Sequence, residues 1–331
     1  MAHSRVTVHD VARLAGLSTS SVSRALSGAR PVSADVAERA RRAAEQLEYR
    51  PDSVARSLRT QQTKTLGLVI ADVTNPFFPL LIQAVEMACR EAGLSLLLAD
   101  AQNDVDIEAK SVQLLIDKRV DALLISPSHR FLSRSTIEAA AQSVRVVQLD
   151  RVADHRSSFV RVDQARGVDL VVEHLQHQGR RQLGFIGSDP SVATSWERQE
   201  AFVESASRLD PRAPLRVLAG EFSVDWGRQA CAQLLEAWPE VDGIVCANDL
   251  IALGAQQALV ATSVAVPEQV AVVGFDDTII ASAGQLTSVR QPLADLARRA
   301  VTFCEQNNQR TEAPEQATLE PELMVRASST I

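Results

Sequence analysis

Hydrophobic and polar positions change their period along the chain, and this change separates a short N-terminal region from a long remainder. Two short runs around Gly16 carry small apolar residues at helical spacing, and the second of them reads STSSVSRALSG. A third run, SADVAERARRAAEQLEY, places alanine, valine and leucine on one face. This spacing predicts three short helices, the first two crossing at a tight turn where Gly16 can adopt a positive φ.

From about residue 64 onward, apolar runs of strand length alternate with helix-like segments. The strand-like runs are LGLVIAD, LSLLLAD, ALLISP, VRVVQLD, QLGFIGS, GIVCAN and VAVVGFD. Near-continuous apolar strands with helical crossovers are typical of buried parallel sheets. Seven such strands fit two doubly wound sheets better than one, so we expect an α/β body.

The second predicted helix has an unusual polar face. Ser18 can cap its N-terminus, and its exposed side would then present four hydroxyls and one guanidinium, from Thr19, Ser20, Ser21, Ser23 and Arg24. Short hydroxyl side chains let a helix approach phosphates and base edges closely, and arginine can bind guanine with two hydrogen bonds. This face therefore predicts a helix that enters a DNA major groove.

The charge distribution agrees with a nucleic-acid-binding N-terminal region. Residues 1–64 carry eleven lysines and arginines against six acids, whereas the whole chain has a net charge of −7. A basic head on an acidic body indicates that only the head contacts DNA.

Composition and motifs exclude several other classes. No apolar run reaches the length of a membrane span, and the first ten residues lack the apolar core of a signal peptide, so we expect a cytoplasmic protein without a membrane partner. His174 and His177 have no acidic or cysteine partner at ligand spacing, which argues against a metal. We find neither a catalytic constellation nor a complete phosphate loop. We therefore expect no enzyme activity, no catalytic residues and no cofactor.

Several stretches together resemble the LacI/GalR family of transcriptional regulators along essentially the whole chain. They are VTVHDVARLAGLSTSSVSRALSG, LEYRPDSVARSLRTQQTKTLGLVI, NPFF, KRVDALLI, VVQLDR, CANDLIALGA, VAVVGFDD and LMVRASS. The resemblance implies a helix-turn-helix domain at 1–51, a hinge helix and linker at 52–63, and a periplasmic-binding-protein-like body. The body would have an N-terminal subdomain (64–163 plus 291–318) and a C-terminal subdomain (164–290 plus 319–331), each a doubly wound parallel sheet.

The same resemblance assigns the DNA contacts. Thr19, Ser20 and Arg24 would read bases, while Ser23 and neighbouring hydroxyls such as Ser21 would hold phosphates. Ser53 would be a further DNA-binding residue. Leu58 would insert into the minor groove of a pseudo-palindromic double-stranded operator, with Arg59 beside it. An apolar wedge at a flexible base step costs unstacking energy that the bent DNA offsets with further contacts.

The strand ends predict where a small molecule binds. Ligands of such sheets lie at the carboxyl ends of the strands, where this sequence places acids, amides and Arg151. Paired carboxylates and amides suit the vicinal hydroxyls of a sugar, and an aromatic ring would cover its apolar face. Seven residues match effector-contact positions of the family: Phe77, Phe78, Asp150, Arg198, Phe222, Asn248 and Asp276.

The identity of the effector and the sign of its effect stay open at this stage. Acidic strand ends favour a neutral sugar or polyol, and the resemblance implies induction as the commoner response. A purine acting as corepressor is the alternative, since Phe77, Phe78 and Phe222 could enclose a base. Trp196 and Trp226 are bulky near the expected cleft. No heptad-bearing helix follows RASSTI, so we expect a homodimer. A cytoplasmic solute-binding protein is the alternative outside the regulator class, with a sugar-modifying enzyme as a further rival.

Overall fold

The computed structural model describes residues 6–27, 32–49, 62–209, 214–305 and 313–330, and the chain divides into two compact units, Met1–Thr63 and Lys64–Ile331. The predicted hinge helix falls largely between the described ranges. Ser53, Leu58 and Arg59 lie outside the described residues, so their roles stay predictions. Within the described ranges, no helix has both the length and the apolar content needed to cross a bilayer.

The described part of the N-terminal unit folds into the three helices that the apolar spacing predicts, α1 (Val8–Ala15), α2 (Thr19–Ser27) and α3 (Ala34–Gln46). Gly16 ends α1 with a φ of +62°, and the Ser18 hydroxyl caps α2 by accepting a hydrogen bond from the Ser21 backbone N–H at 3.1 Å. The helices share a small core made of Val11, Ala12, Ala15, Val22, Ala40, Ala43 and Ala44.

The second unit alternates strands and helices. Its helices are α4 (Phe77–Glu91), α5 (Val105–Asp117), α6 (Ser133–Ala140), α7 (Gln164–His177), α8 (Ala193–Leu209), α9 (Val224–Ala237), α10 (Asp249–Ala261), α11 (Ile279–Ala283) and α12 (Leu293–Glu305). Its strands are β1 (Thr65–Ile70), β2 (Ser95–Asp100), β3 (Ala122–Ile125), β4 (Arg145–Leu149), β5 (Ser158–Val162), β6 (Leu183–Ser188), β7 (Val217–Gly220), β8 (Gly243–Cys246), β9 (Ala271–Asp276), β10 (Thr287–Arg290), β11 (Gln316–Leu319) and β12 (Glu322–Met324).

These strands form two six-stranded sheets, in the orders β11-β5-β4-β3-β1-β2 and β12-β10-β9-β8-β6-β7. Neighbouring strands run parallel except for β10 and β12, which pair antiparallel. We call the first sheet with its helices subdomain 1 and the second subdomain 2. The prediction of two parallel-sheet subdomains is confirmed.

The chain passes between the subdomains three times: after β5, after β10, and between β11 and β12. Helix α12 returns to subdomain 1, where it packs on α4, β4 and β5. Each subdomain therefore consists of separate stretches of sequence, and three connections near β5 and β10 hold the two together.

Strand β2 is less buried than its leucines predict. It is the last strand of its sheet and pairs only with β1. Leu97 and Leu98 are both exposed. An edge strand lacks a second neighbour, so its side chains are covered less well than those of β1 or β3, whose residues are almost all buried.

The apolar runs locate only seven of the twelve strands in the described part of the chain. The strands without a predicted counterpart are β5, β7, β10, β11 and β12. They are three to five residues long, and four of them include polar or charged side chains. Three of the five occupy a sheet edge, where a strand needs fewer apolar residues.

Candidate functional site

Helix α2 presents its polar face on the side away from the core of the N-terminal unit. Val22 is fully buried, while Ser20 and Arg24, one turn apart, are exposed. Arg24 Nε donates a hydrogen bond to the Ser20 carbonyl at 3.1 Å, which lays the guanidinium along the helix. The two residues best placed to reach a groove are therefore a hydroxyl and a guanidinium on one helical stripe.

The predicted face is narrower than the sequence pattern implies. Thr19, Ser21 and Ser23 are half-buried rather than exposed. The Ser21 hydroxyl also lies 2.9 Å from the Ser18 hydroxyl at the helix cap. Side chains at these positions border the core because α2 packs on both α1 and α3.

A cleft lies where the carboxyl ends of strands from both sheets meet. It is lined by Asn75, Phe77, Asp150, Arg151, Thr194, Arg198, Phe222, Asp276 and Gln291. Five of the seven predicted effector residues are among them. The other two are Phe78, which is fully buried edge-to-face against Phe77, and Asn248, whose side chain caps α10 by accepting the Ile251 N–H at 3.0 Å.

Arg198 is the most extensively bonded side chain of the cleft. It projects from α8, and its guanidinium donates to Gln164 Oε1 at 2.7 Å, to the Ala247 carbonyl at 2.6 Å and to Asp276 Oδ1 at 3.4 Å. Its central carbon also lies 3.5 Å from the centroid of the Phe275 ring. These contacts fix a buried cation at the floor of the cleft.

Asp276 ends β9 in a strained backbone conformation, with a φ of +99°. Its Oδ1 also accepts a hydrogen bond from Gln291 Nε2 at 2.7 Å. Burial raises the pKa of Asp276, and the Arg198 guanidinium opposes that rise. Asp276 thus connects subdomain 2 to Gln291 at one of the interdomain crossings.

Asp150 and Arg151 form the wall contributed by subdomain 1. Asp150 also has a positive φ, +69°, and burial raises its pKa to about 7 despite the neighbouring Arg151 and Arg198. The Arg151 guanidinium lies 5.3 Å from the ring centroid of Phe78, and burial lowers the pKa of Arg151. The wall therefore holds a carboxyl group that can exchange a proton near neutral pH.

A second buried carboxylate supports the loop behind the cleft. Asp249 accepts hydrogen bonds from the Thr278 N–H at 2.7 Å, the Thr278 hydroxyl at 2.8 Å and the Ser288 hydroxyl at 2.6 Å. Burial raises its pKa to about 7, with a further contribution from Asp276. Asp249 therefore connects the loop after β9 to the start of β10.

Four buried polar atoms around the cleft lack a hydrogen-bond partner within the described structure: Asp150 Oδ1, Arg151 Nε, Gln164 Nε2 and Gln291 Oε1. Two of these atoms are acceptors and two are donors. Buried polar groups without partners are costly. A ligand that both donates and accepts hydrogen bonds would satisfy them. Searched over the described residues, the structure has no cluster of histidine, cysteine and acidic side chains suited to a metal ion.

Four lining residues are not among the seven predicted effector residues: Asn75, Arg151, Thr194 and Gln291. Asn75 stands in the NPFF stretch, Thr194 precedes Arg198 by one turn of α8, and Gln291 directly follows β10. Arg151 stands at a strand end in the sequence, and the structure adds it to the cleft lining. Two local signals point to these residues: the NPFF stretch contains Asn75, and Thr194 lies at helical spacing from Arg198.

The cleft is nearly closed in this conformation. The space open to a water-sized sphere is about 10 Å³, enough for about one water molecule. The two walls also touch directly: Arg161 of subdomain 1 bonds Glu197 of subdomain 2 at 2.9 Å, and the Arg130 N–H donates to the Ser191 carbonyl at 2.8 Å. The Arg130 guanidinium stacks 4.0 Å from the Trp196 ring.

Comparison with known proteins gives two family matches in this chain. Residues 7–52 match the model described as bacterial regulatory proteins, lacI family. Residues 172–329 match the model of a periplasmic binding protein-like domain.

Curated relatives and solved structures cover nearly the whole chain. The HTH-type transcriptional repressor PurR of Pasteurella multocida is 30% identical over 97% of this chain and 98% of its own length. The ribose operon repressor of Escherichia coli K12 is 31% identical over 98% and 99%. A lac repressor dimer bound to operator and the anti-inducer ONPF superposes with a TM-score of 0.88 at 25% identity, covering 99% of this chain and 100% of that one. The transcriptional regulator CelR in complex with cellobiose gives a TM-score of 0.73 at 29% identity, over 98% and 100%.

Proposed function

The chain belongs to the lacI family of bacterial regulatory proteins, and on that premise we propose that it is a homodimeric transcriptional repressor whose affinity for operator DNA is controlled by a small molecule bound in the cleft. The curated relatives named above are repressors rather than enzymes, and this function involves no chemical turnover. Its site of action would be the cytoplasm, where DNA and metabolites are both accessible.

The observation that carries the DNA-binding role is the exposed stripe of α2. Ser20 and Arg24 lie on the outer side of a compact three-helix unit, and Val22 anchors the opposite side in the core. A short hydroxyl allows close approach to the groove, and the guanidinium can then make two hydrogen bonds to a guanine. Thr19, Ser21 and Ser23 are half-buried beside this stripe. We retain Thr19 as a base contact and the two serines as phosphate contacts.

The cleft favours a ligand rich in hydroxyl groups. Each hydroxyl both donates and accepts, which matches the mixture of unpartnered donors and acceptors around the cleft. Phe77 and Phe222 supply an apolar surface for the C–H face of a sugar ring. The CelR structure named above contains a sugar, cellobiose. We propose a sugar or sugar derivative; the same two phenylalanines make a purine the second candidate.

Entry of such a ligand requires the subdomains to separate. Ligand pockets commonly measure ~300 Å³ or more, far above the space that the closed cleft offers. Subdomain 1 would move with β1, which directly follows the segment joining the two units. We propose that ligand binding alters the spacing of the two hinge segments in the dimer and thereby releases the operator.

Exposed apolar side chains support a dimer. Leu97 and Leu98 lie exposed on edge strand β2, and Met87 is exposed on α4, which contacts that strand. On subdomain 2, Val260 and Ile279 are each 74% exposed, and Val260 lines an open groove of about 540 Å³. An uncovered edge strand with exposed leucines is prone to aggregate. A second copy of the chain would cover these surfaces.

To test this proposal, the full-length protein selects DNA from a pool of random duplexes. Small molecules are then added to the protein–DNA complex, and release of the DNA is measured. We expect enrichment of a pseudo-palindromic site, because a symmetric dimer reads two half-sites. Arg24→Ala should relax base preference at one position of each half-site. A panel of sugars, polyols, sugar phosphates, purines and nucleosides is then added to the complex.

Release by a sugar would support the proposal, whereas tighter binding with a purine would favour corepression. A protein that enriches no sequence would contradict the DNA-binding role and favour a solute-binding protein.

A further inference from the structure

The turn between α1 and α2 is held by a side chain from the third helix. Arg39 Nη2 donates hydrogen bonds to the carbonyl oxygens of Ala15 at 2.7 Å and Gly16 at 3.2 Å. These carbonyls lie at the end of α1, where the helix itself offers no N–H to satisfy them. The guanidinium also faces the negative end of the α1 dipole. One side chain thus closes the end of α1 and connects it to α3.

The geometry of Gly16 fits this contact closely. Its φ of +62° favours glycine, and a Cβ added there would lie 3.0 Å from Arg39 Nη2. Arg39 Nη1 lies 3.4 Å from Asp35 Oδ2, one turn earlier on α3. The guanidinium is therefore positioned by two backbone carbonyls on one side and a carboxylate on the other.

This contact lies directly upstream of the helix that faces DNA. α2 begins at Thr19, three residues after Gly16, so the conformation of the turn sets the direction in which α2 leaves it. Val22 fixes α2 to the core at a single fully buried position. Ala25 and Leu26 of the same helix are partly buried against that core. All three residues lie in the middle and the C-terminal half of α2, so the position of its first turn depends on the turn that precedes it.

We propose that Arg39 is a positioning residue for DNA recognition: it fixes the turn after α1 and so aims Ser20 and Arg24 at the base edges. The inference rests on the proposed function. Base reading tolerates displacements of only about 0.5 Å, whereas attraction to the phosphate backbone needs charge but little geometry. Losing Arg39 should therefore weaken binding to the specific site more than binding to DNA of arbitrary sequence.

The test compares Arg39→Ala with Arg42→Ala in the full-length protein. Arg42 lies on the same helix, is largely exposed and pairs with Glu38, so its loss removes the same charge without touching the turn. The probes are the duplex enriched by the wild-type protein and a scrambled duplex of equal length and composition. Arg39→Ala should bind the enriched duplex about tenfold more weakly than Arg42→Ala does, comparable to one misread base pair. The two variants should bind the scrambled duplex equally.

Arg39→Lys provides the second measurement. A lysine ammonium can reach one carbonyl but lacks the planar fork, so its ratio of specific to non-specific affinity should fall between wild type and Arg39→Ala. If Arg39→Ala unfolds the N-terminal unit, as the loss of its helical circular dichroism would show, the lysine variant decides. A ratio below that of wild type supports the assignment, and a wild-type ratio overturns it.

Equal ratios in Arg39→Ala and Arg42→Ala would overturn the assignment alone. A wild-type protein that enriches no sequence would overturn the proposed function, and this assignment with it.

Discussion

Replacing Arg130 with alanine should weaken a contact between the two subdomains. This contact lies on the side of the cleft away from the interdomain crossings. Arg130 follows β3, two strands from β5 in its sheet, and stacks 4.0 Å from the Trp196 ring of the opposite subdomain. It also stacks on Phe131, but that contact lies within subdomain 1 and survives any opening. Of these two ring contacts of the Arg130 side chain, the one with Trp196 therefore contributes to closure.

The expected magnitude follows from this one contact. Trp196 is partly exposed, so the cation–π interaction is worth about 0.5–1 kcal/mol. Losing it should raise the population of the open form by about two- to fivefold, since about 1.4 kcal/mol corresponds to a factor of ten. The backbone hydrogen bond from the Arg130 N–H to the Ser191 carbonyl remains available to the alanine variant.

That backbone hydrogen bond also provides the assay. Its N–H exchanges with solvent when the cleft opens, so hydrogen exchange at residue 130 in the full-length protein reports the open population. After correction for intrinsic rates, Arg130→Ala should exchange about two- to fivefold faster there. Arg134→Ala is the control, because Arg134 pairs with Glu138 on its own helix α6 and should leave the rate unchanged. Equal protection in Arg130→Ala and wild type would refute the reasoning.

Three further predictions concern stability and assembly. Burial raises the pKa of Asp150 from 3.8 to about 7, so the folded state retains a proton that the unfolded chain releases, and stability falls as pH rises through this interval. Asp150→Asn should therefore raise Tm more at pH 8 than at pH 5. An equal rise in Tm at the two pH values would contradict this. Leu98→Arg should weaken the dimer, which lowers the mass measured in sedimentation, whereas Leu132→Arg, at another exposed leucine, should not. If neither variant changes the sedimenting mass, the dimer interface lies elsewhere. Gly254→Ala should destabilise the protein by about 1–3 kcal/mol in denaturant titration, because its Cβ would overlap backbone atoms of α9. An unchanged free energy of unfolding would contradict the close contact between α9 and α10.

Local patterns were sufficient to predict the N-terminal unit and the main strands. The helix ends there depend on neighbouring residues: Gly16 adopts its positive φ, and Ser18 and Ser33 cap the helices that follow them. Apolar runs located central strands such as β1 and β3, because burial on both faces demands continuous hydrophobicity. For these elements the sequence within one turn or one strand contains the deciding information.

The cleft required information that no local pattern contains. Phe77 and Phe78 are adjacent, but only Phe77 lines the cleft, because the direction of α4 turns its neighbour into the core. Asn248 uses its side-chain oxygen to cap α10, and its predicted contact with the effector stays a prediction. Gln291 enters the site because the crossing after β10 passes beside Asp276. Such placements depend on how two sheets far apart in sequence meet.

Strand β2 and the Arg39 contact illustrate the same division. Leucines predicted the strand, but its exposure follows from its position at the sheet edge, which the strand order decides. In the sequence, Arg39 is one of several arginines on a predicted helix. Its contact with Ala15 joins residues 24 positions apart and becomes visible only when α1 and α3 are packed together.

The most direct test of the central claim measures operator affinity of the full-length protein with and without a cleft ligand, the ligand being found by thermal shift across the panel above. A ligand at about 100 times its dissociation constant should stabilise the protein by roughly 2.7 kcal/mol. We expect that ligand to lower affinity for the enriched duplex, and Phe222→Ala to weaken both effects together. A ligand that stabilises the protein through the cleft but leaves operator affinity unchanged would contradict the claim that the cleft controls DNA binding.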